Sequence, residues 1–341
     1  MTGESLLSVE DLVVDFRQPG WRKPPFRAVD GVSFQIGHGE TLGLVGESGS
    51  GKSTIGRAIL GLIEPTSGRL TFNGDDVTKR TKEQQRRLAR AISAVFQDPY
   101  SSLNPTRSVG KSIIEPLAAQ TALTREESAH VVSRLLKDVR LPATVGGRYP
   151  HSFSGGQRQR VAIARALSIE PKLVICDEAV SALDVITRAQ ILNLFADLQQ
   201  QTSAALLFIG HDLPVVGYLS SRIVVLYRGR VMEQGPSGEI LQQPSHPYTR
   251  ALLAAVPVVN PARQRARRLE LHASVSTTTA NAAPAPREGC VFAPRCPSVA
   301  DLCWHTRPIE SSVERRTVTC HIFDPQSGHP QSRQTQEVVG R

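Results

Sequence analysis

The chain has 341 residues, 40% of them hydrophobic and 21% charged, with a formal net charge of +9. This composition is ordinary for a globular protein with a large core and room for two or three structural units. No apolar run reaches the roughly 18 to 20 residues that span a bilayer, and the start "MTGESLLSVEDL" lacks the basic-then-apolar pattern of a secretory signal, so a cytosolic location is expected. Aromatics are only 5% and do not interleave the basic clusters at 82–90 and 263–268. The charge therefore reads as non-specific attraction to an anionic membrane face or RNA, not as specific nucleic-acid recognition.

In chain order, "LLSVEDLVVDF" alternates loosely and predicts a strand, followed across the Pro-rich "RQPGWRKPP" by a second, "FRAVDGVSFQI". "ETLGLVG" predicts a short buried strand. After it Ile55, Ala58, Ile59 and Leu62 fall at helical spacing, with Pro65 and Gly68 as the stop. "GRLTFNG" predicts another strand. Residues 82 to about 170 read mainly as helices, including "KEQQRRLARAI", "REESAHVVSRLLKDV" and the stretch after "SFSGG". "KLVICDE" and "ALLFIGHD" are continuous apolar runs of the kind found in parallel strands covered on both faces, with the helical "TRAQILNLFADLQQQ" between them. "RIVVLYRGRVMEQG" predicts a β-hairpin turning at "RG". From about 272 to 288 the chain is of low complexity and reads as a linker. Strand alternating with helix makes the core α/β.

Residues 46–53 match G-x-x-x-x-G-K-[ST] between a predicted strand and a predicted helix. Gly46, Gly49 and Gly51 let the backbone curl so that N–H groups converge on phosphate oxygens, with a helix N-terminus behind them. Glu47, Ser48, Ser50 and Thr54 complete the loop, Lys52 brings a full positive charge to the phosphates, and Ser53 can ligate Mg²⁺. "LVICDE" delivers two acids at the end of a buried strand, Asp177 for the Mg²⁺ and Glu178 as a water-activating base. "SFSGGQRQRVAIARAL" is a second Ser-Gly-Gly turn running into a helix, and so a second anion-binding terminus in one chain.

The order "GESGSGKST", "VFQDP", "FSGGQRQR", "VICDEAVSALD", "FIGHD" resembles the nucleotide-binding subunit of ATP-binding cassette (ABC) transporters over roughly residues 6–245. The resemblance implies an ABC-type P-loop NTPase core with an antiparallel β subdomain and an inserted helical subdomain at about 98–168, together occupying 1–258. It also implies a head-to-tail dimer sandwiching two ATP molecules. Ser154, Gly155, Gly156 and Gln157 would then grip the γ-phosphate of the ATP held by the partner's loop, which accounts for two anion-binding turns. Gln97 would sense the Mg²⁺ and the attacking water, Asp184 would report across the dimer interface, and His211 would contact the γ-phosphate. An aromatic before the second strand would stack on adenine: Phe16 is the choice, with Trp21 and Phe26 as alternatives. Ala179 stands where close relatives often carry proline.

"AVDGVSF", "FQDPYSSLNP", "RYPHSFSGGQRQR", "SHPYTRALLAAVP" and "GCVFAPRCP…DLC…VTC" resemble the dipeptide/oligopeptide and nickel importer branch. That implies an ATPase subunit energising a peptide importer from the cytoplasmic face of the membrane. Its partners would be a second, related ATPase in a heterodimer, two transmembrane permeases and, through the complex, an extracytoplasmic binding protein, with no specific nucleic acid. Nickel or another small solute is an alternative cargo, and a non-transport ABC ATPase a more distant alternative.

Cys176 sits alone in an apolar run and is expected in the core. Cys290, Cys296, Cys303 and Cys320 crowd into 31 residues, which in a cytosolic chain suggests metal before disulfide. Their gaps of 5, 6 and 16 residues are longer than the tight pairs of structural zinc sites, leaving zinc, an iron–sulfur cluster or free thiols. The importer resemblance implies a four-iron four-sulfur cluster. The expected layout is a linker at 259–289, a Cys-rich unit at 290–323 packed under Phe292 and Trp304 and independent of the ATP site, and a disordered tail at 324–341.

Overall fold

The computed structural model describes residues 5–18, 20, 24–98, 102–256, 286 and 288–332. In chain order the strands and helices are β1 (Ser5–Phe16), β2 (Phe26–Gly37), β3 (Thr41–Val45), α1 (Lys52–Ile59), β4 (Ser67–Phe72), β5 (Asp75–Asp76), α2 (Lys82–Ala91) and β6 (Ile92–Val95). Then come α3 (Val109–Ala118), α4 (Arg125–Asp138), α5 (Gly155–Leu167), β7 (Leu173–Asp177), α6 (Val185–Thr202), β8 (Ala205–Gly210) and α7 (Leu213–Leu219). The rest are β9 (Arg222–Tyr227), β10 (Arg230–Pro236), α8 (Ser237–Gln242), α9 (Pro247–Ala255), α10 (Leu302–His305), β11 (Glu310–Val313) and β12 (Arg316–Thr319). Every strand and helix predicted above is among them. The chain divides into two units: residues 1–12, 34–42 and 53–210 form the first, and 13–33, 43–52 and 211–341 the second.

In the first unit β6, β7 and β8 run parallel, with Val95 opposite Cys176 and Cys176 opposite Phe208. The predicted two-sided burial is observed: every residue of β3, the first four of β7 and the first five of β8 are buried. Cys176 is fully buried, and burial raises its thiol pKa. Strand β6 is a core element that the sequence pattern does not predict, because "ISAV" follows helix α2 without a break. Its ladder to β7, not any local pattern, makes it a strand. Helix α1 is shorter than its apolar spacing predicts. Ile55, Ala58 and Ile59 are buried, but the chain turns left-handed at Gly61 and leaves Leu62 exposed.

Helices α2, α4 and α5 begin with the same device. Thr81, Thr124 and Ser154 each accept the backbone N–H three residues on, while Gln84, Glu127 and Gln157 reach back to the cap N–H. Such boxes satisfy two otherwise unpaired donors at a helix start. The "SGGQ" turn is thus also the local signal that starts α5.

In the second unit β9 and β10 form the predicted hairpin, turning through Arg228 and Gly229 at φ 46° and 79°, the twisted turn that a two-residue hairpin favours. The cysteine-rich segment is not a separate appendage. Strand β12 pairs antiparallel with β10, placing Val318 opposite Glu233, and β11 adds beyond it. Beneath this junction Glu233, fully buried, accepts the backbone N–H groups of Ser245 and His246 and faces Arg316 at 3.7 Å. A buried carboxylate with this many donors is compensated. The tail expectation is corrected over 324–332. Ser327 Oγ donates to the His321 carbonyl, the His329 ring bonds the Ser298 carbonyl, and His329 and Ser332 are buried. Residues 333–341 and nearly all of the predicted linker lie outside the described residues.

Candidate functional site

The second unit holds the phosphate loop. It is curled on itself, with Ser50 N–H donating to the Glu47 carbonyl at 3.1 Å, and it is braced by the β9–β10 turn, whose Gly229 N–H donates to the Ser50 carbonyl. Gly51 cannot be replaced without strain: its φ is +102°, and a Cβ there would lie 2.5 Å from the Ala28 carbonyl oxygen. Lys52 is 4% exposed. Its ammonium sits inside the curl, donating to the Gly46 and Glu47 carbonyls at 2.8 Å and to Ser50 Oγ at 3.3 Å. A charge already aimed at the centre of the loop is what an incoming polyphosphate needs.

Beside the loop lies a cavity of about 740 Å³ lined by Glu47, Ser48, Gly49, Ser50, Phe26, Arg27 and Arg295, among others. The aromatic ring lining it is Phe26, together with Tyr227. Phe16, exposed at the end of β1, is not among the described lining residues, and Trp21 lies outside the described residues. His211 is exposed at the residue following β8.

The first unit holds the acids. Ser53 Oγ donates to Asp177 Oδ1 at 2.9 Å, so the two predicted Mg²⁺ ligands already touch. Glu178 follows Asp177 in a left-handed conformation, φ +49°, with its N–H donating to the Ile209 carbonyl. A glutamate held at positive φ is costly and recurs where a side chain must be aimed. Carried on by two positions, the β6–β7 register puts exposed Gln97 level with Glu178 at the carboxyl ends of neighbouring parallel strands, the side of an α/β sheet where ligands bind.

Ser154, exposed, caps α5, accepting Gln157 N–H at 3.3 Å. Asp184 caps α6, taking the Thr187 N–H at 2.9 Å and its hydroxyl at 2.7 Å, bonds that hold the Asp184 carboxyl below the ordinary carboxylate range. The two turns meet at Gly156, where an added Cβ would lie 2.3 Å from Thr187 Cγ2. Gly155 opens α5, Thr54 lies in α1, and Ala179 is buried.

The sequence reading assigned no role to Arg295, Tyr248 or Tyr227. Tyr248 is fully buried, and its hydroxyl accepts the Glu47 N–H at 3.0 Å; burial raises its pKa. Arg295 pairs with the Glu47 carboxylate at 2.9 Å. Phe292, fully buried, packs 5.4 Å from both Tyr227 and Tyr248, which makes it a core aromatic of this unit. The expected independence of the cysteine unit from the ATP site is thereby overturned. Tyr248 and Arg295 lie inside the family markers "SHPYTRALL" and "VFAPRCP", and Tyr227 in the predicted hairpin "RIVVLYRGRVMEQG", so no local signal marks them as parts of the site.

Cys290, Cys303 and Cys320 are buried, Cys296 is half-buried, and all are free of disulfides. Burial pushes Cys296 and Cys320 up to about 12, and both also feel the charge of neighbouring cysteines. Among the described residues, however, no three His, Cys, Asp or Glu side chains are arranged to hold a metal ion, so the expected metal unit is not borne out by this geometry.

The family profile described as "ABC transporter" matches residues 29–181, and "Oligopeptide/dipeptide transporter, C-terminal region" matches 232–303. A "Probable peptide ABC transporter ATP-binding protein" of Sinorhizobium fredii is 45% identical over 94% of this chain and 91% of its own. A Brucella abortus chain whose name assigns it ATP binding in peptide import is 45% identical over 94% and 95%. Among solved structures, an ATP-binding cassette captured as a post-hydrolysis dimer with ADP and Pi superposes with TM-score 0.62 at 27% identity, covering 68% of this chain and 98% of that one. A Clostridium perfringens subunit of an ABC transporter complex gives 0.64 at 27%, covering 78% and 98%. With the phosphate loop, the Ser53–Asp177 pair and the capped "SGGQ" helix in place, these matches settle the family: the chain belongs to the ABC transporters, as an ATP-hydrolysing, ATP-binding subunit of the oligopeptide/dipeptide transporter type.

Proposed function

We propose that this subunit hydrolyses ATP to drive peptide import, working on the cytoplasmic face of the membrane as half of a head-to-tail cassette pair bound to two permeases. The observation that carries the reading is one chain bearing both a complete phosphate loop and an exposed, capped anion-binding turn at Ser154. One chain's loop takes one nucleotide, so the second turn serves the partner's. A relative solved as a dimer with ADP and Pi supports that arrangement. Peptide cargo rests on the names of the relatives and on the matching C-terminal region. Among the described residues no helix is long and apolar enough to cross a membrane. A heterodimer with a second, related ATPase is the arrangement proposed.

In this reading Lys52 and the loop N–H groups hold the phosphates, and Phe26 is the better placed ring for adenine. Ser53 and Asp177, already 2.9 Å apart, are the residues that hold Mg²⁺, which neutralises phosphate charge when bound. Glu178 takes the proton of the attacking water, with Gln97 orienting it and His211 contacting the γ-phosphate. Reconstituted with its permeases and binding protein in vesicles, the chain is expected to couple ATP hydrolysis to uptake of a labelled di- or oligopeptide. Uptake of nickel and not peptide would overturn the cargo, and co-purification with ribosomes or DNA in place of permeases would overturn the transport role.

For the four cysteines, gathered in one segment and free of disulfides, a four-iron four-sulfur cluster is the group proposed, with zinc as the alternative. Bound there, such a group would staple a core-poor segment. Protein purified anaerobically is expected to be brown, with iron and acid-labile sulfide near four each per chain, as that cluster composition requires. A colourless protein with one zinc and no sulfide would overturn the cluster.

A further inference from the structure

Arg295 ends the single turn Ala293–Arg295 that lies between Cys290 and Cys296. Its Nη1 donates to Glu47 Oε2 at 2.9 Å and to the Tyr227 hydroxyl at 3.4 Å. The guanidinium also stands 5.7 Å from the ring centres of Tyr227 and Phe292. Those rings pack on Tyr248, whose hydroxyl accepts the Glu47 N–H. The arginine is therefore held on three sides against the second residue of the phosphate loop.

Two observations point to a ligand for it. Only Nη1 is used: Nε and Nη2 find no acceptor among the described residues, while the side chain is 32% exposed. The cavity it lines also takes in the backbone of Ser48–Ser50 and the ring of Phe26, and it sets three guanidinium groups (Arg27, Arg228 and Arg295) against one carboxylate, Glu47. Of the three, Arg27 is engaged by Asp15 and Asp30. A cationic cavity with an aromatic wall and a phosphate-gripping rim matches a nucleotide polyphosphate, and an arginine fork suits phosphate oxygens.

We propose that Arg295 is a nucleotide-binding residue supplied by the cysteine-rich segment: anchored on Glu47, it turns its remaining donors to the polyphosphate of the nucleotide held by residues 46–53. The proposal rests on the reading of that loop as the ATP phosphate loop. It makes nucleotide affinity depend on a turn 248 positions away in the chain.

The test is equilibrium binding of Mg-ATP, Mg-ADP and adenosine to the full-length chain, with thermal melting as the check on folding. Arg295→Ala is expected to weaken ATP and ADP about tenfold, the usual scale for one charge-assisted hydrogen bond, and to leave adenosine unchanged. Arg295→Lys retains the charge and recovers part of the loss; it serves as the deciding variant if the alanine form melts early. Lys52→Ala is the control: unchanged ATP affinity there would sink the phosphate-loop reading itself. Lost affinity in Lys52→Ala alongside wild-type affinity in both Arg295 variants overturns the Arg295 assignment alone. Equal losses for ATP and adenosine in Arg295→Ala also overturn it, since the residue would then shape the base pocket and not meet the polyphosphate.

Discussion

Glu178→Gln is expected to bind ATP normally and to turn it over 10²- to 10⁴-fold more slowly, the usual cost of losing a general base. The substitution keeps size and shape, and it leaves Lys52 and the loop N–H groups untouched, so ground-state binding has no reason to change. The amide cannot accept the proton that the attacking water must lose. The positive φ at Glu178 sharpens the expectation. A residue kept in a costly backbone conformation is aimed by the fold, so a neighbouring carboxylate such as Asp177, engaged with Ser53, does not substitute for it. The variant should accumulate as an ATP-bound pair, seen as co-elution with its partner ATPase on gel filtration with ATP. Turnover at the wild-type rate in the assembled complex would remove Glu178 from the mechanism.

Lys52→Ala and Ser154→Ala are expected to disable different nucleotide sites of the same dimer. Removing Lys52 takes away a buried ammonium that the loop curls around, at about 1.5–3 kcal/mol for charge-assisted bonds, or roughly ten- to a hundredfold in affinity. The emptied site is the one this chain's own loop forms. Ser154→Ala costs about 1 kcal/mol of helix capping in α5 and leaves this chain's loop intact. Its loss should appear at the site whose phosphate loop belongs to the partner. Photo-crosslinking of a labelled ATP analogue, resolved by subunit, reads the two sites separately. If both substitutions empty the same site, the head-to-tail arrangement is wrong.

The residues these experiments address were legible in the chain because each motif is local. A buried strand, a glycine loop, a lysine and a helix follow one another within some twenty positions at 41–59, and their spacing alone states the geometry. The same holds for "LVICDE" at the end of β7, and for "SGGQ", whose serine and glutamine cap the helix they begin. The sequence by itself therefore determined the α/β class and the family, and it supplied the residues proposed to handle phosphate. Only the tertiary structure decided which of the candidate aromatics reaches the cavity: the sequence favours Phe16, whereas Phe26 is the one of the two that lines it. It likewise decided that "ISAV" is a strand, since a four-residue run takes its state from its ladder to β7. It also decided that the cysteine segment is continuous with β10 and reaches the phosphate loop through Arg295. Strand pairing between Glu233 and Val318, and an ion pair between Glu47 and Arg295, join residues 85 and 248 positions apart. Contacts at that range leave no period in the sequence, because they are set by packing of buried rings and by ladder hydrogen bonds that any suitable strand could accept.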